Sequence, residues 1–186
     1  DCGGCNGCSR CCHGMGNSII LDPYDVYRMT TGMGKSMQEL LAASVELNVV
    51  DGVILPNLKM QGTEEACAYL DEEGRCSIHP YRPGICRLFP LGRYYENGGF
   101  SYFLQTGECA KENRSKIKVS KWIDTPDLTR NQQFTLQWHD LLHAMEERLT
   151  GEDEGKQREE NLLLLRLFYL LPYEGTIDFY TQFTER

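Results

Sequence analysis

No stretch of this chain approaches the roughly eighteen consecutive apolar residues that a membrane-spanning helix needs, so no membrane association is expected. The longest candidate, LLLLRLFYLLPY from Leu162, is interrupted by Arg166, stopped by Pro172, and reads as a buried helix. Nor is a signal peptide expected from these residues. Residue 1 opens directly into a cysteine run, and a cytoplasmic location is expected. Basic charge is in deficit: 19 Lys and Arg against 27 Asp and Glu leave a net charge of -8. A phosphate backbone would be repelled, so nucleic acid is not expected as a partner. Only KENRSKIKVSK, Lys111 to Lys121, is locally basic; it reads first as a solvated face and second as a place to meet an acidic partner.

What the chain has in excess is cysteine, nine in 186 residues: Cys2, Cys5, Cys8, Cys11, Cys12, Cys67, Cys76, Cys86 and Cys109. An odd number leaves a full disulfide framework one thiol over. Neighbours in sequence also seldom meet the Cα separation of roughly 4.4 to 6.8 Å that a bridge requires. Metal ligation fits better, because each C-x-x-C step turns two thiolates toward one ion while clustered thiolates without a cation repel one another. Cys2, Cys5, Cys8 and Cys11 form three such steps in series. Cys11 and Cys12 are adjacent, and in extended backbone consecutive side chains face opposite ways, which predicts two metal centres. His13 reads as a hydrogen-bonding neighbour of the run before it reads as a further ligand. The remote thiols are expected on a hairpin, Ala66 to Leu70 and Arg75 to Ile78 about a turn at Asp71 to Gly74, and among the turns set by Pro80, Pro83 and Pro90.

CNGCSRCC at Cys5 to Cys12, followed by GRCSIHPYRPGICRLFP at Gly74 to Pro90, resembles the CxxCxxCC family of cysteine-cluster proteins, which are associated with zinc or iron chelation. Cys76, Ile78, Arg82, Pro83, Cys86, Arg87, Phe89 and Pro90 match the second motif of that family. His79 with one extra residue before Arg82 departs from it, and Cys2 adds a step to the N-terminal run. The resemblance spans about Cys5 to Cys109. It implies a metal or iron-sulfur protein, and a related cysteine cluster in flagellin lysine methylases is its one enzymatic precedent.

Nine thiolates suit two tetrahedral zinc sites with one spare, a bridged zinc-thiolate cluster, or two cubanes that consume eight. The evenly spaced C-x-x-C-x-x-C series with distant further ligands favours one or two [4Fe-4S] clusters, since zinc sites present two separated pairs more often. Arg82 and Arg87 are candidate cofactor-binding residues whose guanidiniums would stabilise a reduced, more negative cluster. They serve equally well as braces on proline turns. The expected function is electron transfer or redox sensing with a protein partner. The alternatives are a zinc protein whose metal staples an interaction domain, and a SAM-dependent protein-modifying enzyme with an accessory cluster. No local SAM-binding or nucleophile motif supports the last, so whether the chain is an enzyme stays open.

The rest of the chain predicts an α+β fold in a single domain over 1–186. An irregular cysteine-rich portion with short antiparallel strands occupies 1–120, and a helical C-terminal portion occupies 121–186. Ser18 to Leu21 reads as a short buried strand leading into Asp22-Pro23, which starts a helix to about Thr31. TTGMGKS superficially suggests a phosphate loop. Met29 stands where glycine is required, and Ser36 with Glu39 reads better as a capping box opening the helix MQELLAASVEL. Val49 to Leu55 reads as a strand, and Gly92 to Tyr95 with Phe100 to Leu104 as a hairpin. Thr125-Pro126 is expected to open a helix to about Leu149, a break follows at Gly151 to Gly155, and helices are expected at Lys156 to Leu171 and Ile177 to Phe183. Trp122, Trp138, Tyr94, Tyr95 and Tyr102 read as core before an electron path, and His139 and His143 as an exposed helix face before a ligand pair.

Overall fold

Two capping boxes open the described part of the fold. The computed structural model describes residues 8–109 and 115–186. Asp22 accepts a 2.8 Å hydrogen bond from the Asp25 N–H, and its own N–H donates to the Asp25 carboxylate at 3.3 Å, which starts α1 (Pro23–Met33). Gly34, in the left-handed conformation, ends α1. Ser36 and Glu39 then form the second box and start α2 (Met37–Ala43). The TTGMGKS stretch is therefore a helix end followed by a helix start.

The expected helix through Leu47 is cut short. β-Branched Val45, Val49 and Val50 take the chain into β1 (Val45–Val50), which pairs antiparallel with β2 (Val53–Leu58). Asp51 and Gly52 between them both have positive φ, 50° and 82°, as a tight hairpin turn requires. The single strand expected over Val49 to Leu55 is thus the two arms of this hairpin meeting at its turn. Residues Ser18 to Leu21 run alongside β2 through one bridge, Ile20 to Asn57. The Leu21 N–H donates to Pro56 and the Leu58 N–H donates to Ile19, which buries Ile19 and Leu21.

Two further hairpins follow, β3 (Met60–Gln61) with β4 (Ala66–Cys67), and β5 (Leu91–Glu96) with β6 (Gly99–Leu104) about Asn97-Gly98. Between these hairpins lies α3 (Gly84–Leu88). The Phe103 ring lies over Gly92, where a Cβ would come within 2.4 Å of it. The helical half comprises α4 (Val119–Ile123), α5 (Leu128–Leu149), α6 (Glu154–Leu165), which runs on through a π turn at Arg166–Leu170, and α7 (Phe179–Thr184). Asp127 rather than Thr125 caps α5, Asp153 caps α6, and Asp178 caps α7.

One hydrophobic core joins the two portions. Tyr24, Val26 and Met29 of α1, Leu40 of α2, Val45 of β1 and Leu55 and Leu58 of β2 pack with Phe134 and Trp138 of α5, Leu164 and Leu165 of α6, Tyr169 and Phe179. The Tyr169 hydroxyl donates to the Leu21 carbonyl at 3.0 Å, and buried Asn161 on α6 bonds the backbone of the β1–β2 turn. Among the described residues no helix is long and apolar enough to cross a membrane.

Candidate metal centre

Three segments of chain converge on one side of this core, and each brings cysteine. In the first, Arg10–Cys12 forms a 3-10 turn in which the Cys12 N–H donates to the Ser9 carbonyl at 2.8 Å. His13 bridges to Ala66, and the Gly14 N–H donates to Glu65 at 2.9 Å, which pins this loop beside β4 and Cys67. His13 is thereby placed in a backbone bridge next to the thiols.

The second segment carries Cys67 and Cys76. The turn at Asp71 to Gly74 forms as its sequence predicts, with the Asp71 carboxylate accepting from the Arg75 N–H at 2.7 Å. Its arms are shorter than expected. Only Leu70 and Cys76 form a bridge, and the strand partner of Cys67 is Met60. Ser77 closes the loop by donating both N–H and hydroxyl to the Tyr69 carbonyl, each at 2.9 Å.

The third segment is the proline-rich run into α3. A 3-10 turn, His79–Tyr81, lies on α1, where the Tyr81 ring covers Gly32 so closely that a Cβ there would meet it at 2.3 Å. Arg28 donates to the Pro80 carbonyl. Asp25, buried at the start of α1, accepts from the Gly84 N–H at 2.6 Å and faces Arg87 at 4.0 Å, fixing the short helix that bears Cys86. Sequence reasoning missed Asp25: its partners Gly84 and Arg87 lie some 60 residues further along the chain, and nothing local to α1 points to them.

Electrostatics show which thiols share a neighbourhood. Burial pushes the Cys86 thiol well up, and the charges of Asp25, Cys67, Cys76 and Cys11 push it further. Burial likewise raises Cys67, with Cys11 contributing, and Cys76, with Cys67 contributing. Cys11 and Cys12 share a thiol hydrogen bond. It pulls Cys11 down to about 6 and pushes Cys12 up, and Cys12 is raised further by burial and by Cys11, Cys67 and Cys76. The adjacent pair therefore lies in a tight turn with its sulfurs together, and the extended backbone that predicted two centres is not present. All of the described cysteines are free thiols.

Cys8, Cys12 and Cys76 line a cavity of about 200 Å³ together with Gly74, Arg75, His79 and Arg82. The Arg82 charge adds to the lowering of Cys11 and opposes the rise of Cys76. Its partner in the motif is turned elsewhere: Arg87 is buried against Asp25 and lies over the Tyr24 ring at 5.8 Å. The Nε of Arg82, on the side of the thiols, is buried without a hydrogen-bond partner. A donor of this kind suits an anionic metal-thiolate group, so Arg82 and the thiols beside it fit a thiolate-bound metal. Among the described residues no three Cys, His, Asp or Glu side chains already stand at coordinating geometry.

Two of the nine cysteines, Cys2 and Cys5, lie outside the described residues. Cys109 lines a different cavity from the one lined by Cys8, Cys12 and Cys76, an apolar groove with Pro90, Leu104 and Trp122. His139 stacks on Tyr95 with centroids 3.9 Å apart, and His143 faces Glu146 at 3.5 Å, on α5. Trp138 is core, and Trp122 donates to the Leu88 and Phe89 carbonyls at 3.2 Å.

Residues 4–118 match the CxxCxxCC family, described as a putative zinc- or iron-chelating domain. The chain belongs to the CxxCxxCC family. The match takes in all three converging segments and stops short of α4, so the long C-terminal helices lie beyond it. This is a metal-binding, cysteine-cluster protein. No curated protein and no solved structure matches the chain.

Proposed function

We propose that Cys8, Cys11, Cys12, Cys67, Cys76 and Cys86 supply the ligands of an iron-sulfur cluster used in electron transfer or redox sensing. The observation that carries this reading is a neighbourhood rich in thiols with the Arg82 guanidinium acting on it. Cys11, Cys12, Cys67, Cys76 and Cys86 act on one another electrostatically, and Cys8 shares the cavity with Cys12 and Cys76. A closed mononuclear zinc site and a single cubane each take four thiolates, so the count marks a thiolate-rich centre, and the guanidinium of Arg82 beside it is what favours the more negative cluster.

Arg82 supports the same reading. A cubane held by thiolates carries negative charge, and a guanidinium beside it favours the reduced form and raises the potential. Arg82 acts on Cys11 and Cys76 and keeps a buried Nε free to donate. When bound, the cluster would take up and release single electrons; the protein's part is to hold the thiolates, keep Arg82 against them and limit water.

Anaerobic purification tests the proposal. The expected product is brown, absorbs broadly across the visible range, and contains iron with acid-labile sulfide. A colourless protein that holds zinc alone after such preparation would overturn the iron-sulfur assignment and leave a zinc-thiolate centre in its place.

A further inference from the structure

Beside α3 and away from the thiol cavity lies a groove of about 370 Å³ lined by Pro90, Leu91, Leu104, Ile117, Val119 and Trp122. Its lining is apolar, yet it is open to solvent: Leu104 is 52% exposed, Ile117 40% and Val119 37%. Three separate pieces of chain build it, the open end of the β5–β6 hairpin, the stretch before α4, and α4 itself. Trp122 ties this floor to the metal-bearing helix through its bonds to Leu88 and Phe89. Apolar side chains left open to solvent in a groove gain from burial that a partner can supply.

Charge identifies what would cover it. The stretch from Ser115 to Ile123 reads SKIKVSKWI, three lysines and no acid in a chain of net charge -8. Lys116 and Lys118 alternate with the groove residues Ile117 and Val119, and with Lys121 they are exposed. None of the three belongs to an ion pair among the described residues. Elsewhere on the surface basic side chains do find acids, as Arg130 finds Asp178 and Lys156 finds Glu152. In addition, β5 and β6 pair only with each other among the described residues, which leaves strand-edge backbone at the groove that an extended peptide can use.

We propose that this groove docks an acidic segment of a partner protein, one that places bulky apolar side chains on Leu104, Ile117, Val119 and Trp122 and carboxylates beside Lys116, Lys118 and Lys121. Apolar burial supplies affinity and the lysines supply selectivity and association rate. The inference stands whichever metal the thiols hold.

The test uses the full chain with its metal and a panel of synthetic peptides in which Glu alternates with Leu or Phe, read by Trp fluorescence and calorimetry. Acidic peptides are expected to bind and shift the Trp emission, with affinity that weakens as salt is added. Ile117→Ser, and separately the pair Lys116→Glu and Lys118→Glu, should each weaken binding about tenfold or more; all three positions are exposed, so the far-UV spectrum should not change. Failure of every acidic peptide to bind, or equal binding by versions with Lys in place of Glu, overturns the proposal. So does unchanged affinity in both variants. Binding of sodium dodecanoate with no binding of peptide overturns it as well, by assigning the groove to a small amphiphile.

Discussion

Asp25 accepts a 2.6 Å hydrogen bond from the Gly84 N–H, two residues before Cys86, and the same carboxylate faces the buried guanidinium of Arg87. A residue from the capping box of α1 thereby sets the start of the helix that carries a thiol. Removing one partner of a buried pair leaves the other uncompensated, at a cost of about 3–5 kcal/mol. Asp25→Ala should cost that much in urea unfolding and lower the metal content of the purified protein. Asp25→Asn keeps an oxygen for the Gly84 N–H while withdrawing the counter-charge from Arg87, and should cost less. An unchanged urea midpoint in the alanine variant would remove Asp25 as the brace of α3.

Asp22 makes a separate prediction about pH. Burial, reinforced by the charge of Asp25, raises its carboxyl to about 7 from an ordinary 3.8. The folded protein therefore holds a proton that the unfolded chain has already released. The stabilisation is complete below the unfolded pKa and is lost as pH rises through the folded one, between about 4 and about 7. The loss should be on the order of 2 kcal/mol, since each pH unit separating the folded from the unfolded pKa is worth about 1.4 kcal/mol and the residue's partial exposure reduces the total. Asp22→Asn retains an N-cap acceptor and removes the titration, so its urea midpoint should vary less over this range than that of the natural chain. Parallel pH profiles for the two proteins would show that Asp22 stays ionised.

How legible these features were in the sequence depends on how local their causes are. The boxes at Asp22/Asp25 and Ser36/Glu39 and the Asn97-Gly98 turn each act within four residues, and Asp22-Pro23, Ser36/Glu39 and the hairpin about Asn97-Gly98 read correctly. The helix expected to continue through Leu47 was overridden where Val45 finds a partner in Leu58, and the Asp51-Gly52 turn that makes this possible was the available signal. Pairing of Cys67 with Met60 rather than across the Asp71 turn depends on a strand with few pattern cues of its own. Arg82 and Arg87 looked equivalent in the motif. Only the fold distinguishes them, because Asp25, which turns Arg87 away, lies some 60 residues earlier in the chain.

Asn161 offers a test of how the helical half is attached. Its side-chain oxygen accepts from the Ile54 N–H at 2.7 Å, and its nitrogen donates to the Gly52 carbonyl at 3.2 Å and the Gln157 carbonyl at 2.9 Å. The side chain is only 3% exposed, so alanine would strand buried backbone groups at about 1–3 kcal/mol each. Asn161→Ala should therefore lower stability by about 2–4 kcal/mol in urea unfolding. A loss below about 0.5 kcal/mol would mean that apolar packing alone holds α6 on the β1–β2 hairpin.

Metal removal should separate the thiol site from the core. The buried apolar residues run through α1, α2, β1, β2, α5 and α6, while Cys67, Cys76 and Cys86 are only partly buried and pack against the edge of that core. Thiolates released from a metal repel one another or must take up protons, so the cost of losing it falls on the three segments that carry them. Treatment with a chelator under reducing conditions should leave the helical far-UV signal largely intact and strip hydrogen-exchange protection from residues 8–13 and 66–88. Cys76→Ser should reproduce this pattern with lowered metal content. Cys109→Ser, which alters a thiol in the apolar groove, should leave metal content and protection unchanged. Loss of the whole helical signal on chelation would show instead that the metal, and not the apolar core, holds the two halves of the chain together.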